Sequence, residues 1–275
     1  MIIGIDASRQ SETVQTGTER YSREIIRALM QIAPQHSFRL YARDERAASG
    51  LVRAEQPRSQ AQVRLIRRRR LWTHAGLGVE MLRRPPDALF IPAHVLPITL
   101  ALPGQSGRLR VVVTLHDIGY RHFPAAHPWQ QRLYLDWSAR FAARHASCIV
   151  ADSEATRQDI HRFYRAPLDR IRVAYPGAPP LPRVTEDERR AALRRFGLDA
   201  GQTFALHVGT LQPRKNLRRL VRAWRHVLAD YPADLPAPLL ALAGATGWGD
   251  EAARLRAEIE TQGLSHSMRL IGYIT

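Results

Sequence analysis

The segment from Val208 to Leu217, which reads Val-Gly-Thr-Leu-Gln-Pro-Arg-Lys-Asn-Leu, carries the side chains best suited to hold an anion. The apolar run Phe204 to Val208 predicts a short strand, and apolar residues recur at helical spacing from Leu217 onward. The pattern therefore predicts a strand, a turn and a helix start. Backbone N–H groups and the positive end of a helix dipole at such a turn, with Arg214 and Lys215 beside them, favour a phosphate site.

Lys215 is unusual in its residue type. The chain contains 41 lysine and arginine residues, and every one except Lys215 is arginine. A position that keeps lysine against this bias indicates a need for a compact, flexible ammonium group rather than a planar guanidinium. The competing interpretations are a solvated basic first turn of the helix, or chance.

A second candidate site follows the apolar run Val111 to Leu115, where His116 and Asp117 come next in the sequence. Ligands of open α/β sheets bind at the carboxyl ends of the strands. A histidine there exchanges hydrogen bonds with sugar hydroxyls, or acts as an acid or base near neutral pH. The alternative is a structural histidine that bonds a neighbouring loop, and only the strand-end position favours the functional role.

The stretch Thr16-Gly17-Thr18-Glu19 has the spacing of a capping box and predicts a helix start. The predicted helix ends before Pro34. Its apolar stripe consists of Tyr21, Ile25, Leu29 and Ile32. Gly17 at the helix entrance permits a ligand to approach the backbone closely, although a lone glycine is not specific to ligand binding.

Two further stretches each have two interpretations. The loop Gly244-Ala245-Thr246-Gly247-Trp248-Gly249 follows a predicted strand and is either a nucleotide contact or a plain turn. The run Arg67-Arg68-Arg69-Arg70-Leu71-Trp72 is the densest basic stretch. It is either a solvated loop or a contact in which the apolar pair enters an anionic bilayer interface.

The composition favours some binding partners over others. A net charge of +16 and a pI near 11.2 suggest nucleic-acid binding, but the arginines are spread along the chain with few aromatic residues interleaved for base stacking. An anionic membrane surface or nucleotide-linked substrates are the favoured partners, and nucleic acid is disfavoured. No His or Cys spacing typical of a metal site occurs, so no metal is expected. A Gly-x-Ser-x-Gly elbow and a Gly-x-x-x-x-Gly-Lys loop are also absent, which disfavours hydrolases and P-loop kinases.

The same composition predicts a cytoplasmic protein. The hydrophobic fraction is 45% and the mean hydropathy is -0.30, and no segment reaches the ~18 consecutive apolar residues of a membrane span. Met1 opens on an apolar run with no charged leader before it. The single cysteine, Cys148, is interpreted as a core thiol in a reducing compartment. The protein is expected either to stay in solution or to contact the inner membrane face peripherally.

Predicted strands alternate with helices, which indicates an α/β fold of two Rossmann-like, doubly wound parallel sheets. The strands predicted in the first half are Met1 to Ala7, Phe38 to Ala42, Val63 to Ile66, Ala88 to Pro92, Val111 to Leu115, Cys148 to Ala151 and Ile171 to Tyr175. A helix is predicted from His127 to Arg144, with Leu133, Trp137 and Phe141 on one apolar face.

Composition divides the chain into three segments. Residues 1–177 are predicted to form the first domain, the proline-rich residues 178–185 a linker, and residues 186–275 a second domain. The elements predicted in the second domain are helix Glu186 to Phe196, strand Phe204 to Val208, strand Leu239 to Ala243, helix Asp250 to Gly263 and strand Met268 to Tyr273. Because nothing after the last strand covers its second face, this domain is expected to be incomplete.

Taken together, the motifs resemble those of the family-4 glycosyltransferases, retaining enzymes of the two-Rossmann-domain architecture called GT-B. The stretches that carry the resemblance are Thr16 to Tyr21, Thr114 to Asp117, Val150 to Thr156, Val173 to Gly177 and Val208 to Leu217. They occur in the family's order across the whole chain, and the last is the most specific.

The resemblance implies transfer of a sugar from a UDP- or GDP-sugar to a glycan or lipid-linked acceptor, with retained anomeric configuration and no metal cofactor. It implies that the first domain serves the acceptor and that the second binds the nucleotide sugar. The donor diphosphate is then expected at Arg214, Lys215, Gly209 and Thr210, where the cations stabilise the leaving group. His116 and Asp117 are the implied catalytic residues, and Gly17 with Thr18 the loop that faces the phosphates and the acceptor.

One departure from the family pattern changes the expectation for activity. The family's Glu-x7-Glu segment should follow the strand Met268 to Tyr273, and Glu258 and Glu260 lie before it. Little or no activity is therefore expected of the 275 residues alone. A non-catalytic Rossmann-type binding module, a nucleotide-sugar epimerase of the same two-domain plan and an arginine-rich nucleic-acid or membrane-surface binder are the alternative functions.

Overall fold

The computed structural model describes residues 1–9, 16–44, 48–52, 60–68, 70–103, 109–178, 181–199, 201–247 and 250–274. The chain divides into two compact units, Met1–Ala178 and Pro179–Thr275. Both are built on parallel sheets with helices, so the predicted α/β class is confirmed.

The first unit contains a seven-stranded sheet in which every neighbouring pair is parallel. Its strands are β1 (Ile2–Asp6), β2 (Ser37–Ala42), β3 (Gln60–Leu65), β4 (Ala88–Ile91), β5 (Arg110–Leu115), β6 (Cys148–Ala151) and β7 (Ile171–Val173). The spatial order is β3-β2-β1-β4-β5-β6-β7. The chain therefore runs outward from β1 in one direction and from β4 in the other, which leaves a crevice between their carboxyl ends.

Helices connect these strands. They are α1 (Gly17–Ile32), a π-helical turn Trp72–Leu77 that continues into α2 (Gly78–Arg83), α3 (Gly119–His122), α4 (Trp129–His145) and α5 (Glu154–Tyr164), with 3-10 turns at Ile98–Ala101, Pro124–Ala126 and Leu168–Arg170. One core cluster packs α1 on β1 and β2, and a larger one packs β4 to β7 against α4 and α5. Burial of these apolar faces stabilises the sheet on both sides.

The core-facing stripe of α1 differs from the predicted one. Ser22, Ile26 and Met30 are buried, whereas Ile32 is 75% exposed. The four apolar residues chosen from the sequence border this contact line rather than form its centre. Ser22 is small and polar, so a pattern of apolar residues alone does not identify it as part of the buried face.

The apolar face predicted for α4 lies partly in solvent: Phe141 is partly buried against the core, but the other two residues are exposed. Leu133 and Trp137 are 57% and 41% exposed. The residues that α4 buries are small: Ser138, Ala139, Ala142 and Ala143. Periodicity identifies an apolar face, but it does not reveal that a row of small residues brings the opposite face closer to the sheet.

Strand β3 begins earlier than predicted. Its residues alternate between exposed and half-buried positions, with the polar Gln60, Gln62 and Arg64 on the exposed side. β3 lies at the edge of the sheet, where one face of a strand remains solvated. The apolar run beginning at Val63 therefore revealed only the second half of the strand.

The second unit contains a three-stranded parallel sheet in the order β10-β9-β8. Its elements are α6 (Glu186–Arg195), β8 (Phe204–Val208), a 3-10 turn Pro213–Lys215, α7 (Leu217–Ala229), β9 (Leu239–Ala243), α8 (Glu251–Thr261) and β10 (Met268–Gly272). All five residues of the central strand β9 are buried. One face packs on α7 and α8 through Val221 and Leu255, and the other carries a smaller cluster around Leu198.

Candidate functional site

The carboxyl ends of β1, β4, β5 and β6 form the first candidate site. Parallel pairing brings Asp6, His94, His116 and Asp152, which end or follow these four strands, to the same edge of the sheet. β1 and β4 flank the point where the strand order reverses. This is the position at which open α/β sheets bind ligands.

The imidazole of His116 is held on several sides. Its Nε2 lies 3.0 Å from the Pro92 carbonyl oxygen, and its Nδ1 lies 3.6 Å from Oδ2 of Asp152. The Tyr21 ring meets it edge-on with centroids 4.7 Å apart, and the Tyr21 hydroxyl lies 3.2 Å from Oγ1 of Thr114. Both ring nitrogens therefore face acceptors of the protein itself. This geometry matches the structural alternative raised from the sequence, and a direct catalytic role for His116 stays a prediction.

His116 and Asp152 influence each other's protonation. Burial lowers the pKa of His116, and the carboxylate of Asp152 opposes that shift. Burial raises the pKa of Asp152, while the charge of His116 and a hydrogen bond from the Thr156 hydroxyl oppose it. Because a proton on Nδ1 allows a charge-assisted bond to the carboxylate, the two groups act as one proton-holding pair at the sheet edge.

His94 lies beside this pair in an unusual backbone conformation. Its φ angle is +37°, in the left-handed region that non-glycine residues rarely adopt. Its ring centroid lies 5.3 Å from that of His116, and its N–H donates to the Thr114 carbonyl oxygen. Burial, reinforced by the charge of His116, lowers the pKa of His94 to about 4. Apart from its place shortly after β4, no sequence pattern marks His94 as a site residue.

Asp117 plays a different part from its neighbour His116. Its Oδ1 accepts a hydrogen bond of 2.9 Å from the Gly119 backbone N–H, and its side chain is exposed. The carboxylate therefore stabilises the turn that leads into α3. The predicted catalytic role of Asp117 is not tested by this arrangement.

Gly17 and Thr18 form the first turn of α1. Thr16 caps the helix, and Glu19 completes the predicted capping box by accepting from the Thr16 backbone N–H at 2.8 Å. A Cβ built on Gly17 would meet no atom within 4 Å among the described residues. The backbone is therefore open to a ligand at this point, and α1 is tied to the histidine site through Tyr21.

Asp6 belongs to a cavity that the sequence did not single out. The cavity has a volume of about 380 Å³. Its lining residues are Asp6, Ser8, Arg9, Glu19, Arg43, Thr73, Ala93, Val95 and Tyr134. The Asp6 carboxylate is buried and accepts a hydrogen bond of 2.9 Å from the Ser8 N–H. Burial raises the pKa of Asp6, and the charges of Arg9 and Arg43 oppose the shift. The strand-end argument that selected His116 applies equally to Asp6, which ends β1.

The second candidate site follows β8 in the second unit. Arg214 and Lys215 are exposed and lie in the 3-10 turn immediately before α7. Asn216 separates that turn from the helix with a φ of +54°, and no side chain among the described residues caps the α7 N-terminus. Backbone donors of the first helical turn thus remain close to both cations, which suits an anion.

Lys215 approaches the loop that begins at Gly209. Its Cε lies 3.7 Å from the place where a Cβ on Gly209 would be, and Nε2 of His207 lies 3.3 Å from the same place. Burial lowers the pKa of His207, and the ammonium group of Lys215 adds to the shift. A neutral His207 therefore leaves Lys215 as the cation of this cluster, while Thr210 continues the loop.

The glycines after β9 serve the packing of two loops. A Cβ on Gly244 would overlap the Gly209 carbonyl oxygen, and a Cβ on Gly247 would overlap that of Leu211. Backbone hydrogen bonds from Gly209 N–H to Ala243 O and from Leu211 N–H to Ala245 O join the same loops. These contacts explain Gly244 and Gly247 without a ligand. Trp248 and Gly249 lie outside the described residues.

The basic run Arg67 to Trp72 does not present its aromatic residue to a membrane. Trp72 is 1% exposed, and its indole N–H donates to the Ile66 carbonyl oxygen at 3.2 Å. The guanidinium of Arg43 lies over its ring at 5.3 Å. The prediction that Leu71 and Trp72 enter a bilayer together is therefore wrong for Trp72, which packs in the core. Arg69 lies outside the described residues.

The described ranges contain no group of three or more His, Cys, Asp and Glu side chains placed to hold a metal ion. Among the helices of those ranges, none is both long and apolar enough to cross a membrane.

The profile of Glycosyltransferase Family 4 matches residues 15–180 of the chain. This segment runs from α1 past the end of β7 and contains His94, His116 and Asp152, whereas β1 with Asp6 lies before it.

Two curated proteins are similar in sequence. The O-antigen chain mannosyltransferase B of Escherichia coli is 31% identical over 167 residues, which cover 60% of this chain and 42% of that protein. The D-inositol 3-phosphate glycosyltransferase of Rhodococcus erythropolis is 35% identical over 101 residues, covering 37% of this chain and 22% of that protein. The chain thus matches less than half the length of either relative.

A solved structure shows the same fold. HepE of Anabaena, crystallised in complex with UDP-glucose, aligns over 100% of this chain and 70% of its own, with a TM-score of 0.69 and 18% identity. This likeness supports the architecture of the chain.

The loop contact predicts an intolerant glycine. Replacing Gly244 with Ala should lower the free energy of unfolding of the second unit by at least about 2 kcal/mol, because the added methyl group has only backbone to displace. Gly201→Ala is the matched control, since its Cβ would first meet an atom at 3.9 Å. Equal denaturant midpoints for the two variants would contradict the packing role of Gly244.

The burial of His94 predicts an acid-labile fold. Its pKa lies at about 4 rather than 6.5, so the unfolded chain binds the proton first and stability is lost as the pH falls from 6.5 towards 4. The loss due to His94 should reach about 3 kcal/mol. His94→Asn, which tolerates the left-handed backbone, should lose correspondingly less stability than wild type between pH 7 and pH 4 in urea titrations. Parallel pH profiles for the two proteins would contradict this account.

Proposed function

The chain belongs to Glycosyltransferase Family 4, and on that premise we propose that it transfers a sugar from a UDP- or GDP-sugar to a glycan or lipid-linked acceptor. The work of the chain is then to hold a nucleotide diphosphate, to stabilise it as a leaving group and to orient an acceptor hydroxyl. Each task has candidate residues in one of the two units.

The observation that carries the proposal is the position of the only lysine in the chain. Lys215 and Arg214 precede an N-terminus of α7 that no described side chain caps, and the Lys215 stem lies beside Gly209 at the end of β8. Two cations and oriented backbone N–H groups form a binding place for a diphosphate. Gly209 and Thr210 supply the loop backbone at this place.

The same cations account for a reaction without a metal. As the glycosidic bond breaks, negative charge grows on the departing diphosphate, and fixed positive groups lower the energy of that state. In the proposal Arg214 and Lys215 perform this task, and the sugar keeps its anomeric configuration. The mannosyltransferase name of the Escherichia coli relative makes GDP-mannose one of the donors to test.

The first unit supplies the acceptor side in this proposal. The cavity beside Asp6 contains two carboxylates, Asp6 and Glu19, and two guanidinium groups, Arg9 and Arg43. Carboxylates accept hydrogen bonds from sugar hydroxyls, and guanidinium groups bind phosphate. Gly17 and Thr18 border the entrance of α1, and the pair of His116 and Asp152 fixes the adjacent strand ends.

We place this activity in the cytoplasm, with peripheral contact at an anionic membrane face. The net charge of +16 supports attraction to anionic lipid, and the single Cys148 supports a reducing compartment. Surface glycans and glycolipids assembled on lipid carriers provide acceptors at such a face.

Replacing Lys215 tests donor binding. Lys215→Ala should weaken the affinity for UDP-glucose or GDP-mannose, whichever wild type binds, about ten- to hundredfold in calorimetry, since a hydrogen bond to a charged group contributes roughly 1.5–3 kcal/mol. Arg225→Ala is the matched control, because Arg225 is an exposed cation further along the same helix. Unchanged affinity in Lys215→Ala would exclude the diphosphate assignment.

The stereochemical outcome tests the reaction class. Proton NMR of the earliest product should show the anomeric configuration of the donor, because the proposed transfer proceeds with retention. A product of opposite configuration would refute retention alone. An epimerised donor would identify an epimerase, and donor binding without any turnover would identify a non-catalytic module.

A further inference from the structure

Helix α4 has four large apolar or aromatic side chains on the solvent side, whereas Leu135 and Phe141 are partly buried against the core. The residues it packs against the sheet are Ser138, Ala139, Ala142 and Ala143. Its outward face carries Trp129, Leu133, Tyr134 and Trp137, with exposed fractions of 62%, 57%, 45% and 41%. An ordinary surface helix has the reverse arrangement, with apolar bulk inside and polar residues outside.

The outward aromatic rings are ordered relative to one another. Tyr134 stacks on Trp137 with centroids 6.0 Å apart, and Trp137 stacks on Phe141 at 5.6 Å. His74, from the π-helical turn, approaches the same row, with Nε2 3.2 Å from the Tyr134 hydroxyl. We call Trp129, Leu133, Tyr134 and Trp137 the α4 ridge. Such a contiguous apolar surface indicates a binding face rather than scattered exposed residues.

The C-terminal half of α4 is basic. It borders a cavity of about 440 Å³ between α4 and α5. The lining residues are Arg140, Ala143, Arg144, Phe163, Tyr164, Arg165 and Arg170. The four arginines place guanidinium groups around one hollow beside the apolar row, and we call it the arginine hollow.

Two arginines of the hollow have protein partners. Arg140, although exposed, pairs with Asp136 at 3.0 Å and lies over the Tyr164 ring at 5.8 Å. Arg170 donates to the Ala143 carbonyl oxygen at 2.6 Å. Arg144 and Arg165 are exposed to solvent and can reach an incoming anion. Because Asp136 offsets the charge of Arg140, the positive potential of the hollow comes mainly from the other three arginines.

We propose that the α4 ridge and the arginine hollow together bind the surface of an anionic phospholipid bilayer. Tryptophan, tyrosine and leucine partition to the boundary between headgroups and acyl chains, and guanidinium groups bind lipid phosphates at the same depth. Trp137 of the ridge is followed along α4 by Arg140 and Arg144 of the hollow, so the apolar row and the guanidinium groups are neighbours. The overall charge of +16 adds long-range attraction to the same partner.

The surface connects to the acceptor cavity. Tyr134 belongs to the ridge and also lines the cavity that contains Asp6. A headgroup lying on the ridge is therefore adjacent to the entrance of that cavity. This last step rests on the proposed transfer to a lipid-linked acceptor, whereas the bilayer contact itself does not.

Vesicle sedimentation tests the contact without any sugar substrate. The protein should sediment with vesicles of equal parts phosphatidylcholine and phosphatidylglycerol, and weakly with phosphatidylcholine alone. Leu133→Gln with Trp137→Gln should reduce the partition coefficient for the mixed vesicles at least about tenfold. Ile32→Gln, which changes an exposed apolar residue of α1, is the control and should bind as wild type does. Mixed-vesicle binding by the ridge variant equal to that of wild type would overturn the proposal.

The contribution of the arginines and the depth of the tryptophans in the bilayer are measured separately. Replacing both Arg144 and Arg165 with Gln should weaken the preference for phosphatidylglycerol and lower the salt dependence of binding, whereas Arg225→Gln should leave both close to those of wild type. In a Trp248→Phe background, brominated lipids should quench the fluorescence of Trp129 and Trp137, since Trp72 and Trp224 are buried. Absence of quenching would refute a bilayer surface. Two other results would also refute it: wild type forms a dimer that the ridge variant loses and does not bind vesicles, or wild type binds DNA and does not bind vesicles.

Discussion

Parallel strand pairing is the constraint on which both candidate sites depend. Because all the paired strands of each sheet run in one direction, their carboxyl ends emerge at one edge, and side chains distant in sequence meet there. His116 and Asp152 are brought within ion-pair distance only through the register of β5 against β6. In the second sheet, the pairing of β8 with β9 sets the loop of Gly209 against that of Gly244. The side chains that meet at each edge are therefore determined by the backbone hydrogen bonds between the strands.

The strand-end residues were the part of the site most accessible to sequence reasoning. His116 follows an apolar run, and the candidate anion-binding segment around Lys215 follows another, so the sequence alone locates both. Their partners were not accessible in the same way. The Pro92 carbonyl oxygen that faces Nε2 of His116 belongs to the backbone after a different strand, and no side-chain pattern reports it. A sequence locates the ends of strands, whereas hydrogen-bond partners across an edge depend on strand order.

The faces of helices were less accessible, for a physical reason. Apolar periodicity measures where hydrophobic side chains recur, but the side that packs is decided by how closely two elements approach. In α4 the side with the alanines faces the core, and Leu133 and Trp137 lie in solvent. Trp72 shows the opposite case, because a basic run suggested exposure while its indole lies in the core. Two features explain these results. Small residues at helical spacing mark the buried side of α4, and a backbone carbonyl that accepts from the indole N–H allows Trp72 to be buried.

The positions of tyrosines suggest how the first unit combines binding with a fixed framework. Tyr21 joins α1 to β5 through Thr114 and contacts His116, so the start of α1 at Gly17 is held close to the sheet edge. Tyr134 belongs to an outward row of side chains and also lines the cavity that contains the buried carboxylate of Asp6. One tyrosine therefore anchors the inner wall of the ligand-binding edge, and the other extends that edge towards the surface. In the proposed transfer, the polar head of a lipid-linked acceptor would lie at the cavity of Asp6 and its apolar tail along the outward aromatic row, because each part favours groups of its own polarity.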